Sequence, residues 1–175
     1  PIILDFITLM NKKYNDFTFV FHSTKEYSEY TQTYIKKYNL NNCEVISDNK
    51  IKSHILNKSV FAVSKSGTVS LEVCNAKIPS IIIYKMGLIN FLIIKMLVKT
   101  KYANILNIAA NEEIIPELLQ SNCNPKKIFD HVSNFLDNPK KIESQVKKTQ
   151  SILNNFKTNK SASEQTALAL NKLLN

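Results

Sequence analysis

Three consecutive segments constrain the fold most: SVFAVS at 59–64, TVSLEVCNAK at 68–77 and PSIIIYK at 79–85. The outer two are apolar without alternation, which is the pattern of strands covered on both faces, and the middle one reads as a helix. A strand, a helix and a strand joined by short turns make a βαβ unit, and such units build parallel sheets with right-handed crossovers. The expected fold is therefore α/β, a Rossmann-like parallel sheet flanked by helices.

The rest of the chain fits that class. IILDFITLM at 2–10 places Ile3, Phe6, Ile7 and Met10 at helical spacing, and FTFVFH at 17–22 follows as a β-rich run. Next come a helical segment with Thr24 as N-cap and a short apolar run, CEVIS, at 43–47. Tyr27, Tyr30 and Tyr34 share one face of that helix, a spacing that predicts packing rather than a base-stacking platform. From Asn111 onward the pattern reads as helical, through NEEIIPELLQ and NPKKIFDHVSNFLDN, with Asn124 and Pro125 as N-cap and first-turn residue. Pro139 opens a further helix whose Ile142, Val146, Leu153 and Phe156 keep one face apolar. Ser161 and Glu164 have the spacing of a capping box before the last helix. The expected division is a domain at 1–137, read as truncated at its N-terminus because Pro1 opens directly on an apolar-periodic segment, and C-terminal helices at 138–175.

The 175 residues carry 23 basic and 14 acidic side chains, a formal charge of +9 that favours anionic partners without choosing among them. Basic clusters such as NPKKIESQVKK lack the glycine–aromatic pattern of an RNA-binding sheet and the Cys/His spacing of a finger, so no nucleic-acid partner is expected. Cys43, Cys74 and Cys123 are scattered and odd in number, as are His22, His54 and His131, which argues against a disulfide framework or a metal site. No signal peptide is visible, and a cytoplasmic location is the expectation. The apolar segment GLINFLIIKMLVKTKY at 87–102, edged by Lys95, Lys99 and Lys101, is shorter than the roughly 20 residues a membrane span needs. It reads either as a core helix or as an interfacial helix against anionic lipid.

The chain has only two glycines, and one of them, Gly67, stands between the first strand of the βαβ unit and its helix. A glycine there permits strained backbone angles and lets a ligand approach the main chain, and the helix start offers free N–H groups and a positive dipole end to phosphate. Ser66 and Thr68 add hydroxyls. Glu72, one turn further on, is suited to accept both hydroxyls of a ribose. The same junction also occurs where glycine only makes the turn and Thr68 only caps the helix. It is neither a P-loop nor a GxGxxG fingerprint.

Read together, SGTVSLEVCNAKIPSIIIYK, the apolar LINFLIIKMLVKTKY and NILNIAANEEIIPELLQ closely resemble the C-terminal half of lipid-A-disaccharide synthase, a two-domain glycosyltransferase of the GT-B class. The resemblance spans about residues 1–156. It implies that Ser66, Gly67 and Thr68 face the diphosphate of a UDP-sugar, that Glu72 binds the ribose, and that Asn107, Glu113, Glu117 and Gln120 lie by the donor cleft. Two departures stand out: Ile105, Leu106 and Asn107 replace the usual Leu-Pro-Asn, and Asn111, Glu112 and Glu113 replace Gly-Arg-Glu. The second removes a phosphate-pairing cation. In the family a glycine-rich phosphate loop and the acceptor-binding N-terminal domain come before the helix that opens this chain.

The implied reaction is an inverting hexosyl transfer, with no metal and no cofactor, from UDP-2,3-diacylglucosamine to 2,3-diacylglucosamine 1-phosphate (lipid X) in lipid A biosynthesis. The catalytic base is expected in the N-terminal domain, leaving the fragment inactive alone. Other implied associations are the anionic inner face of the inner membrane and a homodimer. Two alternatives stay open: another UDP-sugar enzyme of the GT-B fold, or a degenerate, non-catalytic nucleotide-binding remnant.

Overall fold

The structure is a computed structural model that describes residues 1–87, 90–91, 96, 100–157 and 161–174. Most of the apolar segment at 87–102 that was read as a core or interfacial helix, with Lys95 and Lys99, lies outside the described residues. Among those residues no helix is long and apolar enough to cross a membrane.

The first half alternates helix and strand. Helix α1 (Ile2–Lys13) leads to β1 (Phe19–His22), α2 (Lys25–Lys37) to β2 (Cys43–Ile46), and α3 (Asn49–Lys58) to β3 (Ala62–Ser64). The βαβ unit closes through α4 (Thr68–Asn75) and β4 (Ser80–Tyr84). Helix α5 (Ile105–Ala110) and β5 (Glu117–Leu119) follow, then α6 (Pro125–Leu136), α7 (Pro139–Phe156) and α8 (Ala162–Leu174). Every strand pairing is parallel: β1 with β2, and β3–β4–β5 in that order, with Val63 opposite Ile81 and Ile83 opposite Leu118. The Rossmann-like α/β class expected from the apolar runs is what the chain adopts.

One core serves both sheets. Leu4, Phe6, Ile7 and Met10 of α1 and Ile128, Val132 and Phe135 of α6 are buried with Ile81 of β4 and Leu118 of β5, and the aromatic side chains of β1 pack against them. Full burial of side chains this size is worth about 1.5–3 kcal/mol each, and α1 and α6 contribute most of them. A second cluster, Cys74, Ile82, Leu106 and Ile115, lies on the other side of β4, where Ile152 and Leu153 of α7 cover it. Gln145 of α7 is buried too, accepting from the Ser80 N–H at 2.7 Å and donating to the Ser80 and Ile114 carbonyls, so α7 is bonded to the start of β4.

Three expectations change, and one helix was not foreseen. The helix read through NEEIIPELLQ is instead a bent segment that leads into β5, because Pro116 has no N–H for a helix and its carbonyl accepts from Ile82 of β4. Helix α3 was not evident in the sequence; Asp48 caps it through the Lys50 N–H at 2.8 Å. Tyr34 packs on the core, but Tyr27 and Tyr30 are exposed, Tyr30 resting on the Tyr34 ring. Phe156 is exposed at the end of α7 rather than part of its covered face. The cap signals at α6 and α8 hold: Asn124 accepts from the Lys127 N–H, and Ser161 and Glu164 bond each other reciprocally.

Candidate functional site

The turn between β3 and α4 is built around Gly67, the N-cap of α4, at φ 138° and ψ −163°. That backbone region is essentially reserved for glycine, and among the described residues, its two chain neighbours aside, no atom lies within 4 Å of where a Cβ would be, so the demand is conformational, not steric. With no capping side chain, and none of the described residues accepting from them, the amides of Thr68 and Val69 point out from the first turn. Gly67 and Thr68 are exposed at the carboxyl end of a parallel strand, the edge where open α/β sheets hold ligands.

The turn is braced from behind by a buried polar network. The Gly67 carbonyl accepts from the Ser70 N–H at 3.1 Å and from the Ser70 hydroxyl at 2.6 Å. Asn104, fully buried, donates through Nδ2 to Ser70 Oγ and caps α5 by accepting from the Leu106 N–H. Ser66 donates its hydroxyl to the Ala103 carbonyl at 2.8 Å. The Glu117 carboxylate then gathers the same segment, accepting from the Ala103 N–H at 2.7 Å, the Asn104 N–H at 2.9 Å and Asn107 Nδ2 at 2.8 Å. Asn107, also fully buried, donates to the Ile115 carbonyl and accepts from the Ile114 and Ile115 N–H groups. Both its donors and both its acceptor sites are engaged inside the protein.

Five of the sequence-derived candidates thus fall in one connected structure: Ser66 and Gly67 at the turn, and Asn107, Glu117 and Glu113 behind it, where Glu113 Oε1 accepts from the Glu117 N–H at 3.1 Å. Gln120 stands apart. It holds φ 52°, an uncommon value for a residue with a side chain, and its amide pairs with both backbone groups of Met86, tying the end of β4 to the end of β5. Glu72 is half-exposed on α4 and is ion-paired through Oε2 to Lys52 of α3. Glu112, where an arginine was expected, pairs with Lys148 of α7.

Sequence reasoning missed Lys52, Ser70 and Asn104. Asn104 carried a signal, a cap residue directly before an apolar helical segment. Lys52 carried none, because its partner lies 20 positions away on another helix. Among the described residues no group of three His, Cys, Asp or Glu is placed to hold a metal ion. A hollow of about 170 Å³ between α7 and the entry to β5 is lined by Glu113, Lys141, Gln145 and Lys148. It does not include the glycine turn and is smaller than the roughly 300–1,000 Å³ of small-molecule sites, so the turn is the stronger candidate.

A family model described as lipid-A-disaccharide synthetase matches residues 1–171. The chain is 32% identical over 166 residues to the lipid-A-disaccharide synthase of Rickettsia prowazekii (strain Madrid E), covering 93% of this chain and 43% of that protein. It is 38% identical over 117 residues to the one from Rickettsia bellii (strain OSU 85-389), covering 66% of this chain and 30% of that protein. With the enzyme of Rickettsia conorii (strain ATCC VR-613 / Malish 7) the figures are 44% over 101 residues, 57% and 23%. The chain therefore spans less than half the length of these relatives.

Proposed function

Since the chain belongs to the lipid-A-disaccharide synthetase family, we propose that it is the donor-binding part of a glycosyltransferase of lipid A biosynthesis, and that it holds UDP at the β3–α4 turn. The observation that carries this reading is Gly67: a glycine-only conformation at the uncapped start of a helix, at the carboxyl end of a parallel strand. The diphosphate sits at the Thr68 and Val69 amides with Ser66 beside it, and Glu72 accepts the ribose hydroxyls. Asn107, Glu113 and Glu117 act by holding the segment at 103–107 against the turn, and Gln120 by fixing the end of β4. Residues 1–137 carry the donor site and 138–175 supply C-terminal helices, of which α7 packs against α4 and α5.

The proposed reaction is transfer of 2,3-diacylglucosamine from UDP to 2,3-diacylglucosamine 1-phosphate with inversion. A sugar hydroxyl of the acceptor attacks the anomeric carbon as its bond to the diphosphate oxygen breaks, and a base takes the hydroxyl proton. Negative charge grows on the departing UDP, where main-chain N–H groups fixed in advance are most effective. In this reading no metal takes part, and the base belongs to the acceptor-binding domain that the longer relatives have room for, so this chain binds donor without turning it over. The acylated substrates bring the whole enzyme to the anionic inner face of the inner membrane, and the lysine-edged segment at 87–102 suits that contact.

Calorimetric titration of UDP into the wild type and Glu72→Ala tests the reading. Binding that weakens about tenfold or more in the variant supports it, as expected for lost hydrogen bonds to a charged acceptor. No binding at millimolar UDP, in this chain alone and in this chain joined to the upstream domain of a relative, contradicts it. A nucleotide-binding remnant is the second reading, and Glu112 in place of the usual arginine favours it; joining an active upstream domain and finding no transfer would select it.

A further inference from the structure

On the reading of Glu72 as the ribose-binding carboxylate, we propose that Lys52 is a positioning residue of the donor site, holding Glu72 in the orientation that accepts the ribose diol. Glu72 exposes 48% of its side chain at the surface of α4, but Lys52 exposes only 14%, so the cation is the anchored member of the pair. Its backbone is fixed in the first turn of α3, where the Lys52 N–H donates to the Asp48 carbonyl at 3.0 Å and the Asp48 side chain caps the helix. The Lys52 ammonium donates to Glu72 Oε2, and among the described residues Oε1 has no partner. A carboxylate offers about four acceptor sites, and a single lysine contact leaves enough of them for two vicinal hydroxyls.

The cation removes rotamer freedom from Glu72 before the ligand arrives, which raises affinity by lowering the ordering cost of binding. Among the described residues no other acidic side chain forms an ion pair with Lys52.

The test is titration of UDP and 2′-deoxy-UDP into the wild type, Lys52→Met, Lys52→Arg, Glu72→Gln and the Lys52→Met/Glu72→Gln double variant. Wild type should prefer UDP by about tenfold. Lys52→Met should lose about five- to tenfold for UDP and clearly less for 2′-deoxy-UDP, which has only the 3′-hydroxyl to lose, Lys52→Arg should recover most of the loss, and the double variant should be no weaker than Glu72→Gln. Retained 2′-deoxy-UDP binding also reports that the variant is folded, and if Lys52→Met does not fold, Lys52→Gln takes its place and is read through the same ratio. Equal loss for both ligands, or tighter UDP binding from release of Glu72, overturns the proposal while leaving the donor site standing. Failure of the underlying reading looks different: Glu72→Gln then keeps the full preference for UDP, or UDP does not bind at all, and the role of Lys52 falls with it.

Discussion

Replacing Asn107 by Leu should be among the most damaging single changes outside the apolar core. The side chain is fully buried and makes four hydrogen bonds: to the Ile115 carbonyl at 2.7 Å, to Glu117 at 2.8 Å, and from the Ile114 and Ile115 N–H groups, each at 2.9 Å. Leucine fills the space but serves none of them. Ile115 is itself fully buried, so its N–H and C=O both become orphans, at about 1–3 kcal/mol each. The Ile114 N–H and the Glu117 carboxylate are partly exposed, and water offsets some of their loss. The expected destabilisation is about 3–5 kcal/mol, against a total stability of about 5–15 kcal/mol. For a chain of this size that lowers Tm by roughly 6–20 °C. Asn107→Asp should be at least as harmful at neutral pH, because it turns a donor into a second carboxylate facing Glu117, and should recover in part under acid. Urea unfolding followed by far-UV circular dichroism measures both variants. A loss below about 1 kcal/mol for Asn107→Leu would refute the view that this side chain organises the segment behind the turn.

Gly67→Ala should cost about 1–3 kcal/mol in stability although the new methyl group meets nothing, and UDP affinity should fall with it; an unchanged melting temperature would count against the strained turn. Burial pushes the Cys43 and Cys74 thiols up to about 11, so alkylation of the folded chain at about pH 8.5 should be far slower than for a free cysteine and should rise toward the alkaline end; prompt labelling would contradict the burial. Hydrogen bonds from the Lys13 ammonium and the Tyr14 hydroxyl hold the Asp137 carboxyl below its ordinary range. A depressed carboxyl stabilises the fold above its unfolded pKa and loses that contribution as pH falls through the folded value. The stability difference between wild type and Asp137→Asn should thus be constant near neutrality and vanish at the acid end, and a difference that persists there would show another cause.

The parts of the fold legible in the sequence were those where one local pattern decides the structure. Continuous apolar runs specified β3 and β4, and cap residues specified the starts of α6 and α8, because each depends on neighbours a few positions away. The segment at 111–120 misled because its apolar spacing suits a helix, and only the pairing of Pro116 and Leu118 with β4 makes it a strand. For the site, a glycine before a helix marked the turn, but nothing local revealed what braces it. Asn107 and Glu117 stand in the sequence as polar residues in an apolar stretch, equally suited to a ligand or to the backbone. Their roles as internal acceptors and donors follow from long-range geometry, as does the contact between Lys52 and Glu72.

The most direct test of the donor site is a UDP titration of the isotope-labelled chain followed by amide NMR. The account predicts saturable shifts largest at Gly67, Thr68 and Val69, with a second group around Glu72 and Lys52, and smaller ones at 103–107. Shifts confined to the hollow beside Glu113 and Lys148, or none at all, would contradict it.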